Sequence, residues 1–286
     1  MATFTNQATL TYGANVVNSN IVTGELQEVL SANKTALTDT YRVGEPQTFA
    51  INLINSGAAP FTGVTVTDDL GAYDFGTPAQ TLVPLDYVTG TVRYFVDGVL
   101  QPAPTVTGEN PLTITGLTVP AGDNAMILYE ATPNQYAPLG PGGTVNNTAN
   151  VTGSGFTAFA AESAVTADPG VDLSITKALD PVVVSENAPL TYTFTIQNRG
   201  STAAEAVEDI VVSDTFNPRL TGITVTLDGT PLTEGTDYTY DEATGAFATV
   251  PGRITVPTAT FAQNNASGAY ATTPGASTLT VTGTVV

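Results

Sequence analysis

The chain of 286 residues has no cysteine, no histidine and no tryptophan, and sets only 7 lysines and arginines against 26 aspartates and glutamates. Each shortage removes a class of chemistry. Without cysteine there is no disulfide, no thiolate nucleophile and no iron–sulfur ligand. Without histidine there is no Ser-His-Asp triad, no imidazole zinc site and no unperturbed side chain that titrates near neutral pH. A formal net charge of -19 repels a phosphate backbone, so no nucleic acid is expected as a partner. No run approaches the ~20 apolar residues of a membrane span. Met1-Ala2-Thr3-Phe4 lacks the basic and apolar regions of a secretion signal, and Thr284-Val285-Val286 carries no cell-wall sorting tail. The expectation is a chain already processed, or one that reaches its surface without classical secretion, as by deposition on a spore from the enclosing mother cell. The loose acidic patch of Glu234, Asp237, Asp241 and Glu242 lacks the spacing of a calcium loop, so no metal or cofactor is expected.

What the chain does contain is alternation. Phe49, Ile51 and Leu53 alternate with polar or small residues, as do Tyr192, Phe194 and Ile196, and glycine and proline turns separate short runs. Period two of this kind predicts half-buried strands. With 42% hydrophobic residues, 27 glycines and 19 prolines, the reading is an all-β fold made of sandwiches. Asp97-Gly98 and Asp228-Gly229 read as hairpin turns.

The halves repeat each other. Thr48-Phe49-Ala50-Ile51-Asn52-Leu53-Ile54-Asn55-Ser56-Gly57 aligns with Thr191-Tyr192-Thr193-Phe194-Thr195-Ile196-Gln197-Asn198-Arg199-Gly200. Lys34 aligns with Lys177, and Val64-Thr65-Val66-Thr67-Asp68 aligns with Ile210-Val211-Val212-Ser213-Asp214. The copies are cut out of phase. The first closes with Asn147-Thr148-Ala149-Asn150-Val151, and nothing in the second matches it. The matching segment lies at the start of the chain, where Phe4, Asn6, Ala8, Leu10 and Tyr12 alternate as the closing strand does. The boundaries that follow are residues 1–26, an N-terminal donor strand segment; 27–168, a first sandwich domain; and 169–286, a second, incomplete one. An incomplete sandwich exposes unpaired edges. The donor segment could close its own chain, the chain could simply be truncated, or the segment could enter a neighbour, generating a head-to-tail homopolymer of identical subunits.

The ordered pattern of Lys34, Asn55, Gly57, Asp68, Asn147 and Ala149, met again in Lys177, Asn198, Gly200 and Asp214, resembles the domain-of-unknown-function-11 repeat of bacterial and archaeal surface proteins. The resemblance implies Ig-like β-sandwiches, a structural role at a cell or spore surface, and no substrate. The second copy departs from it, lacking the Asn-x-Ala-x-Val segment unless Asn6 and Ala8 supply one.

Parity adds a chemical expectation. Lys34 shares a strand face with Leu30 and Ala32, Asp68 with Val64 and Val66, Asn147 with Ala149 and Val151; Lys177, Asp214 and Asn6 are placed likewise. Successive strand residues face opposite ways, so all six should point inward. Lysine, aspartate and asparagine buried together either pair as an ion pair with a hydrogen-bonded amide, or react; exposure of the triad at a sheet edge is the remaining alternative. The reactive reading is a spontaneous Lys–Asn isopeptide bond: Lys34 to Asn147 with Asp68 as helper acid polarising the amide carbonyl, and Lys177 to Asn6 of a neighbour with Asp214. Similar crosslinks occur in sandwich domains of Gram-positive pilins and adhesins. Glu130 is a rival acid for the first domain, but its counterpart is Thr282. The function expected is a structural subunit of an extracellular or spore-surface filament, not an enzyme; the alternative is a monomeric adhesin or binding module.

Overall fold

The computed structural model describes residues 2–286. The chain begins with four strands, β1 (Ala2–Asn6), β2 (Thr9–Tyr12), β3 (Asn15–Asn18) and β4 (Val22–Leu26). They form one long antiparallel hairpin, β1 on β4 and β2 on β3. The turn is made at Gly13, whose positive φ of 58° suits glycine. Where the ladder breaks at Ala8, Ser19 repairs it: its Oγ accepts from the Ala8 N–H at 2.9 Å, and its own N–H donates to the Ala8 carbonyl at 2.9 Å. A single donor strand was expected here, but Val16, Val17, Ile21 and Val22 carry enough β-branched character to make a second one. Among the described residues no other strand pairs with the hairpin, and Phe4 is 56% and Leu10 64% exposed.

The next fourteen strands are β5 (Leu30–Ala36), β6 (Thr40–Tyr41), β7 (Gln47–Asn55), β8 (Phe61–Asp68), β9 (Tyr73–Phe75), β10 (Gln80–Leu82), β11 (Leu85–Tyr87), β12 (Arg93–Val96), β13 (Val99–Leu100), β14 (Thr105–Glu109), β15 (Leu112–Val119), β16 (Asn124–Pro133), β17 (Thr144–Thr152) and β18 (Phe159–Ala167). One sheet runs β13-β12-β16-β7-β5, with β11 also paired to β16. The facing sheet runs β14-β15-β8-β17-β18-β6. Between them lies one core, in which Phe49, Ile51 and Leu53 meet Val64, Val66, Ala149 and Val151. Asp97 and Gly98 both take positive φ and turn β12 into β13, as two-residue hairpins require.

The second unit comprises β19 (Leu173–Asp180), β20 (Pro189–Asn198), β21 (Ser213–Thr215), β22 (Leu220–Leu227), β23 (Thr230–Pro231), β24 (Tyr238–Asp241), β25 (Ala246–Thr249), β26 (Thr260–Gln263), β27 (Tyr270–Thr273) and β28 (Gly275–Val285). Its larger sheet, β19-β20-β28-β22-β23, reproduces β5-β7-β16-β12-β13 strand for strand. The facing sheet is β21-β25-β24 and reproduces only β8-β15-β14. Counterparts of β17, β18 and β6 are not present among the described residues, and the outer edge of β21 has no strand against it. A separate core fills this unit, including Tyr192, Phe194, Phe216 and Phe247.

The correspondence extends to single hydrogen bonds. Asn55 Oδ1 accepts from the Gly57 N–H and Asn198 Oδ1 from the Gly200 N–H, each at 2.9 Å. The two amides donate onward to the carbonyls of Ala59 (2.8 Å) and Thr202 (2.7 Å). Both asparagines are buried and serve as turn pins rather than reactive groups. The units also differ. The β26–β27 excursion of the second reaches the first, where the Tyr270 N–H donates to the Gln135 carbonyl (2.8 Å) and Gln263 donates to the Tyr73 hydroxyl (3.2 Å).

A two-stranded hairpin alone is marginal in water. In monomeric protein, amides of β1–β4 are expected to exchange with solvent orders of magnitude faster than those of β7 and β16, measured by hydrogen–deuterium exchange. Comparable protection would mean that the hairpin is already seated.

Candidate functional site

Three strands bring one polar cluster into the first core. Strand β5 alternates Leu30 and Lys34 inward, β8 brings Val64, Val66 and Asp68, and β17 brings Val145, Asn147, Ala149 and Val151. Lys34 and Asp68 have fully buried side chains, and Nζ lies 2.7 Å from Asp68 Oδ2. Nζ makes no well-directed hydrogen bond there and is held by its proximity to the acid. Nζ also sits 5.5 Å from the ring centre of Phe49 and 6.0 Å from that of Tyr129, rings that stack on each other. Burying such a group without compensation costs several kcal/mol.

Tyr129 completes the cluster and was missed from sequence. It lies inward on β16, and its hydroxyl donates to Asp68 Oδ2 at 2.7 Å while accepting from Asn147 Nδ2 at 2.9 Å. Asp68 Oδ1 accepts from the Leu70 N–H at 3.1 Å. Asn147 Oδ1 is buried with no partner. The carboxyl group therefore reaches the nitrogen of the amide, through a phenol. The expected contact of the acid with the amide carbonyl is not among its hydrogen bonds. Glu130, the rival acid, faces the opposite side of β16 from Tyr129.

Burial shifts the titration of all three groups. It pulls the Lys34 ammonium below its ordinary value against the opposing pull of Asp68, and it pushes the Asp68 carboxyl up. Burial, with Asp68 alongside, holds the Tyr129 phenol far above its usual range. Each direction favours the neutral form, an amine beside an acid.

The counterpart site in the second unit is open. Lys177 and Asp214 are in contact, but their side chains are 40% and 21% exposed. Both were expected to point inward, in a domain left incomplete within the single chain. The exposure arises because, among the described residues, no strand lies over β19, which is exposed along its whole length. Leu173 on that strand is 38% exposed, whereas its counterpart Leu30 on β5 is buried, and Ile175 is 53% exposed. Lys177 Nζ instead rests 4.2 Å from the Tyr192 ring centre, a cation–π contact worth roughly 0.5–1 kcal/mol at an exposed site. Val281 occupies the register position of Tyr129, since Val281 pairs with Tyr192 as Tyr129 pairs with Phe49. Asn6 is on β1, exposed and paired opposite Val22, and is not brought to Lys177 within the single chain. Phe4, Ala8, Leu10 and Tyr12 are likewise exposed on the N-terminal hairpin.

No family model matches the chain, and no curated protein matches it either. Solved structures do. The C-terminal domain of the Streptococcus pyogenes antigen I/II-family protein AspA is 9% identical over 91% of this chain and 92% of that one, with a TM-score of 0.36. The major pilin subunit of Bacillus cereus is 12% identical over 96% and 73%, with a TM-score of 0.36. A collagen-binding domain from a Staphylococcus aureus adhesin is 13% identical over 49% and 99%, with a TM-score of 0.30. Likeness at this level assigns no activity, and the functional reading rests on the geometry above. Among the described residues no helix is long and apolar enough to cross a membrane, and no acidic cluster could hold a metal ion.

Removing the phenol hydroxyl strips Asp68 and Asn147 of a shared buried partner. Tyr129→Phe is expected to lower the stability of the first domain by about 1–3 kcal/mol in chemical denaturation. Val281 makes no such bond, so unfolding of the second domain should be unchanged.

Proposed function

We propose that the chain is the structural subunit of a cell- or spore-surface filament, polymerising head-to-tail by strand donation and tied by Lys–Asn isopeptide bonds. One observation carries the reading. The second domain has an unpaired edge at β21 and an uncovered face at β19, while the N-terminal hairpin, unpacked, has the sequence pattern of the strands that close the first domain. An apolar hairpin in water and an apolar groove in water are two costs removed by one contact. Covering Ile175 alone contributes on the order of 1 kcal/mol.

The first-domain cluster supports a crosslink made once, within the subunit. Neutral Lys34 Nζ attacks Cγ of Asn147; a C–N bond to lysine forms and the bond from Cγ to Nδ2 breaks. The proton leaving Nζ passes to Asp68 and through the Tyr129 hydroxyl to Nδ2, which departs as ammonia. The product amide is neutral, so the buried charge is gone. In the second domain Asn6 of a neighbour would meet Lys177 beside Asp214, without a phenol. The resemblance to surface-protein repeats fits this role, as does a chain in which charged residues are only 12%.

The expected intact mass of the monomer is one ammonia below the sequence mass, with Asp68→Ala restoring the full value. A parent subunit retaining all its ammonia excludes the first-domain bond. Electron microscopy of the purified full chain should show filaments, and boiling in detergent should leave a ladder that Asn6→Ala abolishes. A ladder surviving that substitution removes Asn6 from the crosslink, and filaments surviving deletion of residues 2–26 overturn strand donation.

A further inference from the structure

We propose that the closure of the first domain by its own β17–β18 hairpin is the template for the joint between chains. The whole 2–26 hairpin of one copy, both strands, takes the place on the second domain of another copy that β17–β18 takes on the first, with Ala8 opposite Asp214. This rests on the strand-donation reading and specifies its partner surface and register.

The template is explicit. On the first domain β17 pairs with β8 as Ala149 with Asp68, Asn150 with Thr67, Val151 with Val66 and Thr152 with Thr65. Asn147 corresponds to Asn6 and Asp68 to Asp214, so the transferred register sets Ala8 on Asp214, Thr9 on Ser213, Leu10 on Val212 and Thr11 on Val211. The free edge offers the necessary groups. In the single chain the Thr215 N–H, counterpart of an Asp69 N–H that donates to Thr148, is turned onto the neighbouring Asp214 Oδ1 at 2.8 Å and would be released to the incoming strand.

The second strand of the hairpin belongs to the same unit. Strand β18 pairs along the whole of β17, and its Ala161, Val165 and Ala167 are buried in the first domain. In both hairpins the asparagine has a cross-strand partner: Asn147 faces Ser163, and Asn6 faces Val22. Two residues earlier, Val145 faces Val165 in one and Phe4 faces Gly24 in the other. Two medium side chains are replaced by a large ring lying over a glycine, at a position where any side chain on Gly24 would strike the Phe4 ring. Exchanges that conserve volume in this way keep the shape of a packed face. A lone strand would leave β19 and its Ile175 uncovered; the second strand supplies the cover that β18 gives to β5.

The occupant is another copy because the chain cannot reach itself. Between β4 and β5 lie only residues 27–29, a link of about 10–14 Å when taut. A strand of the length of β17, at about 3.3 Å per residue, already spans roughly 30 Å of the intervening domain.

A chain without cysteine permits a direct test. Thr9→Cys with Ser213→Cys, both exposed in the single chain, should oxidise to a disulfide between subunits, identified by mass in digested filaments. Thr9→Cys with Val211→Cys sits two residues out of register, beyond bridging distance, and should lose it. Bridging in the second pair, or equally in both, overturns the register. Filaments that form with neither pair bridged overturn it too, while leaving strand donation standing; absence of filaments from every form including the parent overturns both. Hydrogen exchange on assembled filaments tests the second strand. Amides of β4 and β1 should both become protected on assembly, and protection confined to β1 would reduce the donor to one strand.

Discussion

The structure depends on one constraint: a sheet edge and a sheet face have to be closed together. In the first domain the β17–β18 hairpin does both jobs, pairing with the edge of β8 and lying over β5. That closure makes burial of Lys34 complete, seals Asp68 and brings Asn147 to the phenol of Tyr129. Take the hairpin away and the same strands leave the lysine in contact with water, as the second domain shows at Lys177. The difference between a sealed pair and an exposed one is thus made by two strands, not by the identity of the lysine or the acid.

The electrostatics follow from this closure. An exposed Lys–Asp contact is worth about 0–1 kcal/mol and imposes nothing on its surroundings. At the buried contact desolvation drives both groups towards neutrality against their mutual attraction, while a single polar path runs from acid to amide nitrogen. The Asn147 carbonyl is left without a hydrogen-bond partner in the same cluster. Such a cluster is poorly explained as a stabilising device, because apolar side chains of the same volume would serve better.

Much of this was legible in sequence because strands have period two. The inward positions of Lys34, Asp68 and Asn147 follow from the residues that flank them, and the paired motifs around Asn55 and Asn198 reveal equivalent turns. Parity gives direction but not cover, so it could not distinguish sealed Lys34 from open Lys177. Tyr129 was hidden for a related reason: an inward aromatic on an alternating strand reads as core, and its hydroxyl acquires meaning only when the facing sheet delivers Asp68. The second strand of the N-terminal hairpin was hidden by Asn18, Ser19 and Asn20, which read as loop but form the repaired break in a ladder. The β26–β27 excursion, rich in threonine and alanine, shows no core pattern because it packs on the other domain.

That excursion separates the two kinds of joint. Within a chain the second domain is braced against the first by Tyr270 on Gln135 and Gln263 on Tyr73. The equivalent connection in the first domain, between β15 and β16, is only residues 120–123, too short to reach anything beyond its own sheet. In a filament built by strand donation, the joint inside each subunit therefore has a strap and a continuous backbone. The joint between subunits has neither. Its load falls wholly on the donated hairpin, whose release would require only that strands slide out of a groove. A covalent tie gains most at a joint of that kind, and the proposed one would lie there, at the exposed Lys177–Asp214 contact.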